Sequence, residues 1–173
     1  YVDSYRAAET TFNVLTQVVG RAGRGQRPGR ALIQTMTPEH RVILLASRQD
    51  YDGFYDLEVG LREAKGCPPF RDLYTITFSG PDEGQVLRGA ALFRDSLLSC
   101  LETAPYRGLS CHVLGPAPAA VAKINYHFRY RLTLRTPKSR EVHRLLAYLL
   151  RQFARDRANR GVSACLLYTS PSP

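Results

Sequence analysis

Ten residues from Tyr126 to Arg135 constrain the fold more than any other stretch of this chain. Tyr126, Phe128, Tyr130, Leu132 and Leu134 alternate strictly with His127, Arg129, Arg131, Thr133 and Arg135. A period of two marks a strand with one face buried. The partition assigns the aromatics to the core, which argues against base stacking by Tyr126, Phe128 and Tyr130. The next segment changes period. Thr136-Pro137 opens a helix predicted to run to about Ala158, with Val142, Leu145, Leu146, Leu149 and Phe153 on one side. Turning about 100° per residue, Arg140, Arg144, Arg151 and Arg155 fall within about 60° on the other side.

The same switching of period orders the rest of this half. Tyr74, Ile76 and Phe78 alternate with Thr75 and Thr77 as a strand, and Ser79-Gly80-Pro81-Asp82 turns the chain into a helix. That helix has a core stripe of Val86, Ala90, Phe93, Leu97 and Leu101 and is limited by Pro105. Cys111–Leu114 is strand-like, Gly115-Pro116-Ala117-Pro118 reads as a rigid loop, and a last strand starts at Val162. The order βαββαβ predicts a ferredoxin-like α+β sandwich.

Upstream, Gly66-Cys67-Pro68-Pro69 reads as a domain junction, because two consecutive prolines fix an extended segment. Residues 5–19 carry a helical stripe of Ala7, Ala8, Thr11, Phe12, Leu15, Val18 and Val19, with Ser4 or Asp3 as its cap. Ala31–Thr35 is a short candidate strand. Thr37-Pro38-Glu39 has the residues of a helix start, followed by a helical pair from His40 to Ser47 and from Tyr51 to Ala64.

Charge is concentrated late in the chain. Of a net +9, eleven Lys/Arg against Glu141 and Asp156 lie between Lys123 and Arg160, and the remainder holds thirteen of each sign. A basic block inside a folded region marks a polyanion-binding face, with ordinary solubilising charge as the alternative. The basic face is assigned to Arg129, Arg131, Arg140 and Arg144, with Lys123 on the preceding loop. Cys67, Cys100, Cys111 and Cys165 form no C-x-x-C pair and the four histidines are scattered, so no metal site within this chain is expected. No apolar run approaches 18 residues and no signal peptide is visible, which predicts a soluble, cytoplasmic protein with no membrane partner.

One run points to phosphate chemistry. In Gln17-Val18-Val19-Gly20-Arg21-Ala22-Gly23-Arg24-Gly25, Gln17, Arg21 and Arg24 share a helix face at i, i+4 and i+7. Guanidiniums match phosphate oxygens bidentately and stay charged in a dry cleft. An arginine aimed at a γ-phosphate is worth about 10³–10⁵ in rate. A solvated Arg/Gly loop touching nucleic acid nonspecifically is the plainer reading. At 173 residues, the chain is too short for a complete two-lobe motor. It has no G-x-x-x-x-G-K-[ST] loop, and it opens on Tyr1-Val2-Asp3 as though cut from a longer protein.

These segments together resemble the C-terminal part of the primosomal protein N′ (PriA) family, replication-restart helicases of superfamily 2. Ser4–Glu9 is similar to the family's D-[FY]-R-A-x-E, Thr16–Gly25 to its motif VI, T-Q-V-x-G-R-A-G-R, and Gln34-Thr35 with Pro38-Glu39-His40 to its Q-T-x-x-P-E-H. Pro68-Pro69-Phe70, Val113–Pro118, Lys123 and Phe128-Arg129-Tyr130 follow in the family's order, so the likeness covers roughly residues 4–163. It implies an α/β end of a second RecA-like helicase lobe over 1–48 and a connecting helix with the Pro-Pro junction over 49–70. A ferredoxin-like domain over 71–164 would follow. It also implies an ATP-dependent 3′–5′ DNA helicase that restarts stalled forks, with ATP and Mg²⁺ as cofactors. Gln17, Gly20, Arg21 and Arg24 would bind ATP, with Arg21 and Arg24 catalytic. Zinc would be held only by an N-terminal part not present here. The implied partners are forked and single-stranded DNA, the acidic tail of the single-stranded-DNA-binding protein, and other primosome proteins. The alternative is a stand-alone nucleic-acid or acidic-peptide module without ATPase activity. Two departures stand out. Ser4 replaces the family's Asp, and from 165 to 173 the family's D-V-[DN]-P pattern gives way to a tail that resembles translated sequencing adapter. That tail is expected to be non-native, poorly packed and unable to complete a ladder.

Overall fold

Phe12 lies one turn from Thr16 on the buried line of the first helix, α1 (Ala7–Ala22). The computed structural model describes residues 5–22 and 29–169. They divide into two units that meet in sequence between Lys65 and Gly66, inside the stretch expected to join the two domains.

In the first unit, α1 is joined by α2 (Arg41–Ser47) and α3 (Tyr51–Lys65). The Phe12 ring stacks on Phe54 of α3 at 4.1 Å and 10°, and Val42 and Ala46 of α2 complete the cluster. Arg62 of α3 ties the helices together: Nη2 donates to Glu9 Oε2 and Nε to Glu58 Oε1, each at 2.9 Å. Burial opposes the guanidinium charge, but the two carboxylates outweigh it and hold the Arg62 pKa above its ordinary value. Val18, expected in the stripe, is exposed. The caps expected at Ser4 or Asp3 lie outside the described residues.

Two local expectations are corrected here. Residues 31–35 form no strand, and among the described residues of this unit none offers a ladder to pair with. Strand geometry is held by a neighbour's hydrogen bonds, so apolar composition alone does not create it. Helix α2 runs from Arg41 to Ser47, within a residue of the His40–Ser47 expected, but Thr37-Pro38-Glu39 does not cap it. Thr37 makes a turn instead, its N–H donating to Thr35 Oγ1 at 3.1 Å and its carbonyl accepting from His40 N–H at 3.0 Å.

The second unit has the expected βαββαβ order: β1 (Asp72–Gly80), α4 (Glu83–Leu101), β2 (His112–Ile124), β3 (His127–Thr136), α5 (Arg140–Arg155) and β4 (Ser163–Thr169). A 3₁₀ turn, Arg157–Asn159, leads from α5 towards β4. The four strands make one antiparallel sheet in the order β2-β3-β1-β4. Asp82 caps α4 by accepting from Gln85 N–H at 2.6 Å, and Ser139 caps α5 by accepting from Val142 N–H at 3.3 Å. Helix α5 therefore begins at Arg140, later than the Thr136-Pro137 start read from sequence.

Both helices lie on one face of the sheet. Val86, Ala90, Phe93 and Leu97 of α4 and Val142, Leu145, Leu146, Leu149 and Phe153 of α5 cluster with Tyr74, Ile76, Phe78, Leu132 and Leu134. The helices approach closely at Gly89, where a Cβ would sit 3.2 Å from the Phe153 ring. Strand alternation turns Thr75, Thr77, Arg129, Arg131 and Arg135 to the face opposite the helices.

Two strands differ from expectation. Strand β2 runs straight through the Gly115–Pro118 segment read as a loop, with register shifts between Leu114 and Ala117 and between Pro118 and Lys123. It is an edge strand, where prolines forfeit no ladder bond on the solvent side. The tail is not without a partner: residues 163–169 pair with β1 from Leu73↔Thr169 to Ser79↔Ser163. Leu166 packs on the core, and Tyr168 stacks on Tyr74 at 4.7 Å. The segment alternates outward and inward as a strand must, so its composition did not prevent pairing. Residues 170–173 lie outside the described residues.

Candidate anion-binding sites

Gln17 and Arg21 lie one turn apart on α1, and both are exposed. Gly20 beside them serves packing. A Cβ there would meet Gln49 Nε2 at 2.9 Å, and that amide donates to the Thr16 carbonyl at 3.3 Å. Gln49, held at φ +54 after α2, is a contributor that the sequence did not signal. Arg24 lies outside the described residues, so the α1 site comprises one glutamine and one guanidinium on a solvent face.

The basic groups of the second unit do not form the single face expected. Arg129 and Arg131 stand with Arg135 along β3 on the sheet face away from the helices, while Arg140 and Arg144 belong to α5 on the helix side. The sheet lies between them. Sequence periodicity finds the face each residue shares within its own element. It does not say which side of the sheet a helix will cover, and here the helix covers the side opposite the strand's arginines. Beside Arg131 and Arg129 in register stand Thr77 and Ser79 of β1, so this surface combines guanidiniums with hydroxyls. Lys123 is on β2 rather than a loop, directly across from Phe128, with Nζ 4.4 Å from its ring centroid.

The start of α5 borders a cavity of about 600 Å³. Arg140, Arg144 and Lys138 bring three cations to it, with Tyr74, Tyr168 and His143 as its aromatic wall. Asp72, only 3% exposed, also lines it, and its Oδ1 has no hydrogen-bond partner among the described residues. Burial, with the nearby Tyr168 and Asp72, pushes the Tyr74 phenol far above its ordinary pKa, so it stays neutral. Glu141 is the acidic residue in the first turn of α5. Its carboxyl is held below the ordinary range by its own backbone N–H, by the Ser139 hydroxyl donating at 3.0 Å, and by the charges of Arg144 and Arg140. This place has the charge of an anion site and one buried acceptor that an anion alone does not satisfy. Asp72 was missed in sequence because nothing in the period-two pattern distinguishes a buried carboxylate at a strand's first position.

Among the described residues, no group of three or more His, Cys, Asp or Glu side chains is placed to hold a metal. None of the described helices is long and apolar enough to cross a membrane.

Fold and charge together define a class: a basic α+β domain, four antiparallel strands under two helices, with arginines on both sides of its sheet. Comparison with known proteins narrows this. The family model described as "Primosomal protein N C-terminal domain" matches residues 63–167. The "Replication restart protein PriA" of Bacillus subtilis is 32% identical over 156 residues, which is 90% of this chain and 19% of that protein. The protein of that name from a Synechocystis strain is 37% identical over 136 residues, 77% of this chain and 15% of its own length. The one from Chlamydia pneumoniae is 35% identical over 151 residues, 84% of this chain and 19% of its own. The chain belongs to this replication-restart family as a C-terminal fragment, and it spans about a fifth of the length of the curated relatives it matches.

Proposed function

We propose that the chain is the end of the motor and the C-terminal domain of an ATP-dependent 3′–5′ DNA helicase that restarts stalled replication forks. The first unit is the end of the second RecA-like lobe, and the second is a ferredoxin-like domain that grips DNA and an acidic protein partner. The observation that carries this reading is the pairing of Gln17 with Arg21 on one exposed face of α1, in a chain whose likeness to replication-restart proteins extends through both units. Exposed Val14 and Val18 on α1, with Leu32 at 96% and Met36 at 99% exposure, support a unit that packs into a larger lobe.

The chemistry follows from what these side chains do. Phosphoryl transfer needs charge stabilisation at the γ-phosphate more than covalent help. Gln17 orients by hydrogen bonding, and Arg21 with Arg24 neutralises charge as it develops on the transferring group. ATP and Mg²⁺ would be held mainly by the first lobe, which supplies the phosphate-cradling loop absent from this sequence.

The α5 cavity suits the acidic end of a partner protein better than a phosphate backbone. A chain end brings a carboxylate for Arg140 and Arg144 and backbone N–H groups for the orphaned Asp72 oxygen. Phosphate has no hydrogen to donate and would leave Asp72 facing an added negative charge. The sheet face with Arg129 and Arg131, flanked by hydroxyls, suits the DNA backbone. DNA-stimulated ATP turnover tests the reading: the complete protein hydrolyses ATP and the isolated chain does not. Turnover by the 173-residue chain alone, or none by the complete protein on forked DNA, would overturn it.

A further inference from the structure

The β2–β3 hairpin ends in a two-residue turn, Asn125-Tyr126, with φ +48 and +64. Two positive φ values at a hairpin tip are the type I′ pattern, which favours Asn first and Gly second. Asn125 fits. Tyr126 does not, because a β-carbon at positive φ crowds the following carbonyl. The ring gains nothing from the fold in return: it is 85% exposed and makes no hydrogen bond or ring contact with the described residues. A strained, fully presented aromatic at a tip is a residue placed for something outside the chain.

Its surroundings say what. From Cys111 to Ser139 the sequence contains no Asp or Glu, and the hairpin carries Lys123, Arg129, Arg131 and Arg135. Lys123 is held over the Phe128 ring next to the tip, and His127 Nδ1 lies 3.0 Å from the Asn125 carbonyl, bracing the turn. An aromatic plate flanked by cations matches a nucleotide, whose base stacks while its phosphate pairs. A duplex hides its base faces, so the match is to an unpaired strand.

We infer that Tyr126 is a base-stacking contact for single-stranded nucleic acid at the tip of the β2–β3 hairpin. This deepens the DNA-binding reading of the second unit and rests on it. It also reverses the expectation that Tyr126 is core: the alternating pattern ends at the turn, and the register leaves Tyr126 outside both strands.

The chain contains no tryptophan, so Tyr126→Trp places a single reporter at the tip. On the intact 173-residue chain, its emission should be quenched on titration with oligo-dT and unchanged with an abasic strand of equal length. Tyr126→Gly should bind oligo-dT about 10-fold more weakly, the scale of one aromatic–base stack. It should bind the abasic strand as wild type does, and its thermal midpoint should rise because glycine fits the turn. That rise separates a lost contact from a damaged fold. If Tyr126→Gly binds oligo-dT as tightly as wild type, or if the reporter tryptophan's emission ignores saturating oligo-dT, the stacking role is wrong while DNA binding by the unit stands. If the tip reporter responds to anionic phospholipid vesicles and not to DNA, the occupant is a membrane and the inference fails. If wild type binds neither strand, the DNA reading falls and this inference with it.

Discussion

Truncating the chain after Ala164 should destabilise it substantially, the opposite of what the tail's composition suggests. Strand β4 pairs with β1 at seven positions, and truncation removes five of them, Cys165 to Thr169. Losing half-buried Leu166 removes about 1 kcal/mol of apolar burial. Losing the Tyr168 ring from Tyr74 removes about 0.5–1.5 kcal/mol beyond its area. The cross-strand pairs add about 0.2–1 kcal/mol each where side chains touch, and Ile76 and Tyr74 lose cover. Together the cost is about 3 kcal/mol, which for a domain of this size lowers the thermal midpoint by about 10–20 °C. Circular-dichroism melting of the full and truncated chains is the assay. Truncation after Thr169 is the control, because it keeps every β4–β1 pair. An unchanged midpoint for the chain ending at Ala164 would mean that β4 contributes no packing and that the tail is a bystander.

Other outcomes follow from the same contacts. Arg140→Ala/Arg144→Ala should weaken binding of an acidic peptide ending in a free carboxylate by about 10-fold or more, measured by fluorescence anisotropy, because each charge-assisted bond is worth about 1.5–3 kcal/mol. Salt should weaken that peptide less than single-stranded DNA, whose slope is about 0.7 log units per phosphate contact per decade. The Glu141 carboxyl has a lowered folded pKa. Its contribution to stability is therefore full above the ordinary glutamate value and is lost as pH falls through the lowered one. Glu141→Gln should flatten denaturant stability in that acid window and leave neutral-pH folding intact. Gly20→Val should drive Gln49 off the Thr16 carbonyl and lower the melting temperature of the helical unit, whereas Arg21→Ala on the exposed face should not.

What the sequence disclosed was periodicity within elements. The stripes of α4 and α5, and Leu132 and Leu134 of β3, were predicted because burial on one face imposes that pattern directly, whereas Thr133 on the other face of β3 is buried as well. What it hid was set between elements. Residues 31–35 have strand composition but no ladder to join among the described residues of their unit, and Pro116 and Pro118 read as loop because the edge position of β2 was unknown. The arginines of β3 and α5 were merged into one face, since periodicity does not reveal which side of the sheet the helices cover. Tyr126 was counted as core because a turn, which breaks the alternation, has no signal when Tyr stands where Gly is usual. Asp72 and Gln49 were invisible for a related reason: each matters through a neighbour distant in sequence.

The claim that the first unit completes an ATP site is tested most directly by Arg21→Ala, and by Arg24→Ala beside it, in the complete protein. Finger arginines act on the transition state more than on bound substrate. DNA-stimulated ATP turnover should fall by about 10²-fold or more, while equilibrium binding of a nonhydrolysable ATP analogue stays within about threefold of wild type. Turnover near wild type in both variants would reduce the Gln17–Arg24 run to surface charge and would contradict the account.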